Sequence, residues 1–369
     1  MKQQILYISS IPWNYAWHRQ QEMMSKMAEA GFEVLFVQPC TKNPFKTTFI
    51  KQSDRIWLLS PAGLPYERVL RCVNSFNARI AKKQILKAMK KIGFETPIVW
   101  LDRVHGFDFK FFSKNSYVLY DLIDEILAFG RVRNEKMLLS LENMVLKRAD
   151  LLISSSQTLA SRKLAQCGMP KKTYQFIPNG VDISRFSSEK EWREIRNISH
   201  PRIGFIGTIS KRRLDCSMLQ SIIQRNPDWN FLFIGPEETA VSDELSGNNV
   251  YFFDRVSGDK IPEVVNSFDV GIIPYLINKS DMDYVFPRKA CEFLASGKPV
   301  VSTPLPEMQI FGEYAIIAST AEEFEVGIKM ALSQKNQEKK YREYVKKFDW
   351  EMLLQALVKK MIEREQEER

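Results

Sequence analysis

Arg288 and Lys289 follow Pro287 directly in the segment YVFPRKACEFLASGKPVVST (284–303), and Glu292 comes three residues after Lys289. The proline and Gly297 bracket a predicted helix, and PVVST after it reads as a buried strand. A helix start offers unpaired backbone N–H groups and the positive end of the dipole, so a lysine there completes a grip for a diphosphate. A carboxylate one turn along can accept two hydrogen bonds from a vicinal diol such as that of ribose. The plain alternative for Glu292 is a solvated helix carboxylate, set against its apolar neighbours Cys291, Phe293 and Leu294.

Other segments concentrate polar chemistry at predicted strand ends. GFIGTISKRRLD (204–215) sets Gly207 at a strand end and Lys211, Arg212 and Arg213 in the turn after it. Glycine lets a backbone approach a ligand closely, and the cations neutralise phosphate; the alternative is an exposed basic loop. SSIPWNYAWHRQQEMM (9–24) crowds Trp13, Trp17, His18 and Arg19 into one strand-to-helix turn. The tryptophans offer a face to a sugar ring or are simply core. WLDRVHGFDF (100–109) places Asp102, Arg103 and His105 after one strand, and YDLIDE (120–125) places Asp121, Asp124 and Glu125 after the next. A carboxylate there can take a proton or bind substrate hydroxyls; helix capping by Asp124 and a structural His105 are the alternatives. The chain lacks the three-glycine dinucleotide fingerprint, which disfavours a nicotinamide oxidoreductase.

These residues need strands and helices to position them, and the sequence predicts two such series. Apolar, β-branched runs fall at 5–10, 33–39, 97–102, 117–124, 151–156 and 174–179, then again at 202–209, 230–236, 250–256, 270–275, 299–305 and 314–319. Continuous apolar strands alternating with helices mean parallel sheets covered on both faces. With 369 residues the chain is long enough for two domains. The boundaries read as an amino-terminal domain over 1–183, a carboxyl-terminal domain over 184–348 and a terminal helix over 349–369. Ligands of open α/β sheets gather at the carboxyl ends of the strands, so the expected site is a cleft where two such edges face each other.

Five cysteines without paired spacing and a start that resembles neither a signal peptide nor a span predict a cytoplasmic protein. The net charge is +9, and residues 67–94 hold eight basic residues against Glu67 alone. Ala81, Ile85, Ala88 and Ile92 share one helical face there and the lysines take the other. That face is either solvated or meets an anionic surface, lipid or nucleic acid, and no nucleic-acid motif accompanies it.

The ordered set GFIGTI, PDWNFLFIGP, FDVGIIPY and FPRKACEFLASGKPVVST, with IPNGVD at the join and RADLLISSSQTLA before it, resembles the GT-B glycosyltransferases of the family-four, group 1 type. The resemblance covers nearly the whole chain and is similar in its departures to transferases of teichuronic acid or exopolysaccharide assembly. It implies two Rossmann-like doubly wound domains and a last helix crossing back to the first. The carboxyl-terminal domain would hold a nucleoside-diphosphate sugar: Lys211 or Arg212 with Lys289 on the diphosphate, Glu292 on the ribose, and Arg255 and Val256 beside the base. Gly207, Tyr284, Phe286 and Arg288 would complete that shell. The amino-terminal domain would bind a glycan acceptor through Trp13, Trp17, Arg19 and His105, with Asp124, Lys289 and Glu292 as the catalytic group. Two positions depart from the family: Tyr284 stands where the first of two glutamates is usual, and Ile123-Asp124 replaces a His-Asp pair. Both fall on the sugar side. The implied reaction is a transfer, retaining, with no metal or other cofactor; the lone Asp-x-Asp, DMD at 281–283, reads as part of a flap. A lipid-linked acceptor would give the basic segment its role, docking on the inner face of an anionic membrane. The rival readings are a GT-B sugar-nucleotide epimerase and a catalytically silent nucleotide-sugar-binding protein.

Overall fold

A computed structural model of the chain describes residues 3–15, 17–107, 116–127, 134–187, 190–277, 284, 286–334 and 336–367. The chain divides into two compact units, Met1–Pro178 with Leu354–Arg369, and Asn179–Leu353. The division falls five residues before the boundary read from sequence, and the return to the first unit lies within the terminal helix.

The amino unit runs β1 (Gln4–Ile8), α1 (Arg19–Glu29), β2 (Glu33–Val37), β3 (Thr48–Lys51), β4 (Ile56–Ser60), α2 (Arg71–Ile92), β5 (Ile98–Leu101), β6 (Val118–Leu122), α3 (Glu135–Arg148), β7 (Leu151–Ser154), α4 (Gln157–Gln166) and β8 (Gln175–Phe176). Its strands lie in the order β3-β4-β2-β1-β5-β6-β7-β8, all parallel except β3 against β4. β1, β5 and β6 are buried along their whole length, as central strands covered on both faces must be. β3 and β4 were not expected. β3 is an edge strand with two exposed residues, so it carries no continuous apolar run. On α2, Ala81, Ile85 and Ala88 are buried as the spacing predicts, while Ile92 is half-buried and the lysines face outward.

The carboxyl unit runs β9 (Arg202–Ile206), α5 (Cys216–Arg225), β10 (Asn230–Ile234), β11 (Val250–Phe253), α6 (Ile261–Asn266), β12 (Val270–Ile273), α7 (Arg288–Ala295), β13 (Val300–Ser302), β14 (Ile316–Ile317), α8 (Ala321–Ser333) and α9 (Glu338–Val345). Its strands are all parallel, in the order β11-β10-β9-β12-β13-β14. α10 (Trp350–Glu367) starts in this unit and passes into the other at Leu354. The α/β class and the paired parallel sheets are as the sequence predicts.

In each sheet the chain winds outward in both directions from a central pair, β1 with β5 and β9 with β12. The connecting helices leave such a pair toward opposite faces, so a crevice opens at the carboxyl ends of those two strands. The segments that follow β1, β5, β9 and β12 are therefore the ones to inspect.

Candidate functional site

In the carboxyl unit the crevice at β9 and β12 holds Lys289. Gly207 follows β9 at φ 141°, and Gly235 follows β10 at the same φ. A Cβ on Gly235 would sit 2.1 Å from the Gly207 carbonyl oxygen, so both positions exclude a side chain. A Cβ on Gly207 would sit 2.5 Å from Cε and 2.9 Å from Nζ of Lys289. The lysine thus reaches from the first turn of α7 to rest against the bare backbone after β9. Its Nζ lies 5.8 Å from the Phe205 ring centroid and 5.6 Å from that of Tyr275, which follows β12. Among the described residues no carboxylate pairs with it. Tyr275 is fixed in turn by Thr303, whose hydroxyl donates to its carbonyl at 2.7 Å. A half-buried ammonium held by two aromatic faces and a glycine is ready to take an anion.

Glu292 is buried, so the solvated reading fails; its Oε1 lies 2.9 Å from Arg288 Nε, an ion pair whose N–H is not aligned for a hydrogen bond. The start of α7 is less open than the sequence suggested. The Arg288 amide donates to the Phe286 carbonyl and the Ala290 amide to that of Pro287, so two of the first three donors are spent locally. Lys211 is engaged by Glu244 at 2.8 Å, whereas Arg212 is exposed and without an ion pair. Arg255 and Val256 lie on the coil after β11, on the same sheet edge but two strands away. Phe286 does not face a ligand: its ring is 3% exposed and packs 5.8 Å from Phe348 and 6.1 Å from Phe311, centroid to centroid. Tyr284 is likewise buried. The DMD segment, 281–283, lies outside the described residues, and among those described no cluster of three metal-ligating side chains occurs.

In the amino unit two expected acceptor residues prove structural. Arg19 is 4% exposed; it donates through Nε and Nη2 to both oxygens of Asp121, at 3.0 and 3.1 Å, and through Nη1 to the Pro178 carbonyl at 3.0 Å. Its guanidinium is a strut tying α1 to β6. Trp13 is buried edge-on against Phe36, with centroids 5.0 Å apart. Trp17 is 48% exposed and keeps an open face, its indole N–H bonded to Glu22. Asp124 is exposed after β6 and caps no helix; α3 begins at Glu135 with Asn134 as its cap.

The crevice at β1 and β5 holds instead Asp102, which sequence reasoning noted without choosing. It accepts from the Ser10 amide at 2.6 Å, the Ser10 hydroxyl at 3.0 Å and Gln20 Nε2 at 2.8 Å. Burial outweighs these bonds and lifts its carboxyl to about 6. His105 is buried beside Arg68, whose Nε donates to Nε2 at 3.0 Å; burial, then Arg68 and Arg103, hold the imidazole neutral, well below its usual range.

Residues 200–334 match the family described as Glycosyl transferases group 1. The matched stretch runs from just before β9 through α8. It contains the glycine–lysine crevice, Arg288 and Glu292. The putative teichuronic acid biosynthesis glycosyltransferase TuaH of Bacillus subtilis (strain 168) is 34% identical over 179 residues, 46% of this chain and 44% of that relative, so the match spans less than half of the relative's length. Among solved structures, sucrose-phosphate synthase from Thermosynechococcus elongatus superposes with a TM-score of 0.75 at 16% identity, covering 99% of each chain. Anabaena HepE in complex with UDP superposes with a TM-score of 0.68 at 14% identity, covering 98% of this chain and 100% of that one. These likenesses show the fold, which is GT-B.

Proposed function

We propose that the protein is a glycosyltransferase that moves a sugar from a nucleoside-diphosphate sugar to a hydroxyl of a glycan acceptor. The anomeric carbon–oxygen bond to the diphosphate breaks, a bond to the acceptor oxygen forms, and the hydroxyl proton leaves with the diphosphate or to a nearby carboxylate. The observation that carries this reading is Lys289, a half-buried ammonium with no carboxylate partner among the described residues, at the crevice of the stretch that matches the group 1 family. Negative charge grows on the leaving diphosphate in the transition state, and a fixed cation there stabilises it without reorganisation. Arg212, and Lys211 once it leaves Glu244, would add charge; Glu292 would meet the ribose, and Arg255 and Val256 the base. HepE, the UDP complex among the structural neighbours, supports a nucleotide donor.

The finer reading is a retaining, metal-independent transfer to a lipid-linked acceptor in cell-surface polysaccharide assembly, in line with TuaH. The acceptor belongs to the amino unit, with Asp102 and Trp17 added to His105 and Asp124 as the groups available to it. No helix among the described residues is long and apolar enough to cross a membrane. Contact with anionic lipid would therefore run through α2, in a protein that works at the cytoplasmic face.

Calorimetric titration with UDP tests the donor site. Lys289→Ala should weaken binding about tenfold or more, as loss of a charge-assisted contact does, while far-UV circular dichroism stays unchanged. Equal affinity in wild type and variant would overturn the assignment.

A further inference from the structure

Arg103, two residues past β5, is 4% exposed and makes neither a hydrogen bond nor an ion pair among the described residues. Folded proteins pair nearly all buried polar groups, and a buried charge left alone weighs against the fold. The carboxylates of Glu67 and Asp102 favour the charge of Arg103 from a distance, but neither is bonded to it.

Its neighbours point the same way. Arg68 Nε donates to His105 Nε2 at 3.0 Å, so the neutral ring carries its proton on Nδ1. That Nδ1 is also buried without an acceptor. Arg68 is exposed and spends only its Nε on the histidine, and its two terminal nitrogens have no partner among the described residues. Glu67 is the acid beside them: its Oε2 accepts from Asn77 Nδ2 at 2.8 Å, and its Oε1 stands 3.5 Å from His105 Nε2. Asp102 is held by Ser10 and Gln20. Donors therefore outnumber acceptors in the cluster, which sits at the carboxyl ends of the central strands, where a sheet of this winding takes its ligand.

We propose that Arg103, Arg68 and the His105 Nδ1–H form a receptor for an oxyanion, a phosphate or a carboxylate, carried by the acceptor. Arg103 is the floor, its planar fork matching two oxygens of either group, and Arg68 closes the rim. This rests on the assignment of the acceptor to the amino unit; it specifies that the acceptor is acidic close to the hydroxyl that reacts.

The test is made on the full chain with inorganic phosphate, pyrophosphate and glucuronate as separate probes. Thermal unfolding should shift upward with at least one of them in the wild type, phosphate and glucuronate telling the two sources apart. Arg103→Met should abolish the shift. It should also melt at or above the wild type without ligand, because an unpaired buried charge has been removed. Arg68→Gln changes an exposed residue and should weaken the anion about tenfold with the ligand-free melting point unchanged. In transfer assays with an acidic acceptor, both variants should raise the acceptor KM while kcat at saturation stays within a few-fold. An Arg103→Met protein that melts far below the wild type, or a wild type indifferent to all three anions, overturns the proposal. UDP binding with no anion effect sinks this inference alone; anion binding through Arg103 with no UDP binding sinks the donor assignment instead.

Discussion

Asp102 accepts three hydrogen bonds, and burial still raises its carboxyl to about 6. Between its ordinary range near 4 and that value the folded chain holds a proton that the unfolded chain releases, so this residue makes stability fall as pH rises through that window and level off above it. The melting temperature of Asp102→Asn should therefore gain on the wild type from pH 4 to pH 6.5 and run parallel to it beyond; a constant difference would show that the carboxyl is not displaced. The sequence singles out Lys289 and Glu292, and notes Asp102 and Arg103, because each follows a recognisable strand end or helix start. It misjudged Trp13, Arg19 and Phe286, since a tryptophan, arginine or phenylalanine beside a site has the same spelling whether it faces ligand or core. Nothing in the sequence distinguishes Arg103 from its neighbours, because whether a guanidinium has found a partner is a property of the packed chain.

At the scale of elements, two joints carry load. The Arg19–Asp121 pair links α1 to β6 in full burial, so Arg19→Ala leaves a lone carboxylate and should lower stability by about 3–5 kcal/mol in urea unfolding. A loss below about 1 kcal/mol would mean water replaces the guanidinium. The other joint is the contact between the turn after β9 and α7. Gly207→Ala adds a methyl at φ 141°, into the space of Lys289. It should destabilise by about 1–3 kcal/mol and weaken UDP at the same time, whereas a loss of stability with full affinity would separate the glycine from the site. The parallel strands were legible because their burial on both faces writes continuous apolar runs. β3 was not, because an antiparallel edge strand needs apolar residues on one face only, and Lys51 can stand at its end; β4, which lies between β3 and β2, does carry an apolar run, Ile56–Leu59.

Across the whole molecule, charge is placed unevenly. α2 turns Arg71, Arg79, Lys83, Lys87, Lys90 and Lys91 outward together with Phe76 and Leu86, which are 43% and 47% exposed. Cations around two apolar side chains suit a bilayer surface carrying anionic lipid. Co-sedimentation with phosphatidylserine vesicles should fall roughly a thousandfold at low salt when Arg79, Lys83, Lys87 and Lys90 are replaced by glutamine, at about 1 kcal/mol each. Binding that ignores lipid charge and salt would exclude the face. The charge and the helix period were both readable in the chain; the two exposed apolar residues among the cations were not, because period alone does not say which side of a long helix is left uncovered. Attachment built from many small contributions adds in the exponent, so occupancy changes steeply with lipid composition. Such a protein would not loosen by degrees as a membrane loses anionic lipid. It would leave almost at once, past a threshold, and glycan assembly would be confined to the stretches of membrane above it.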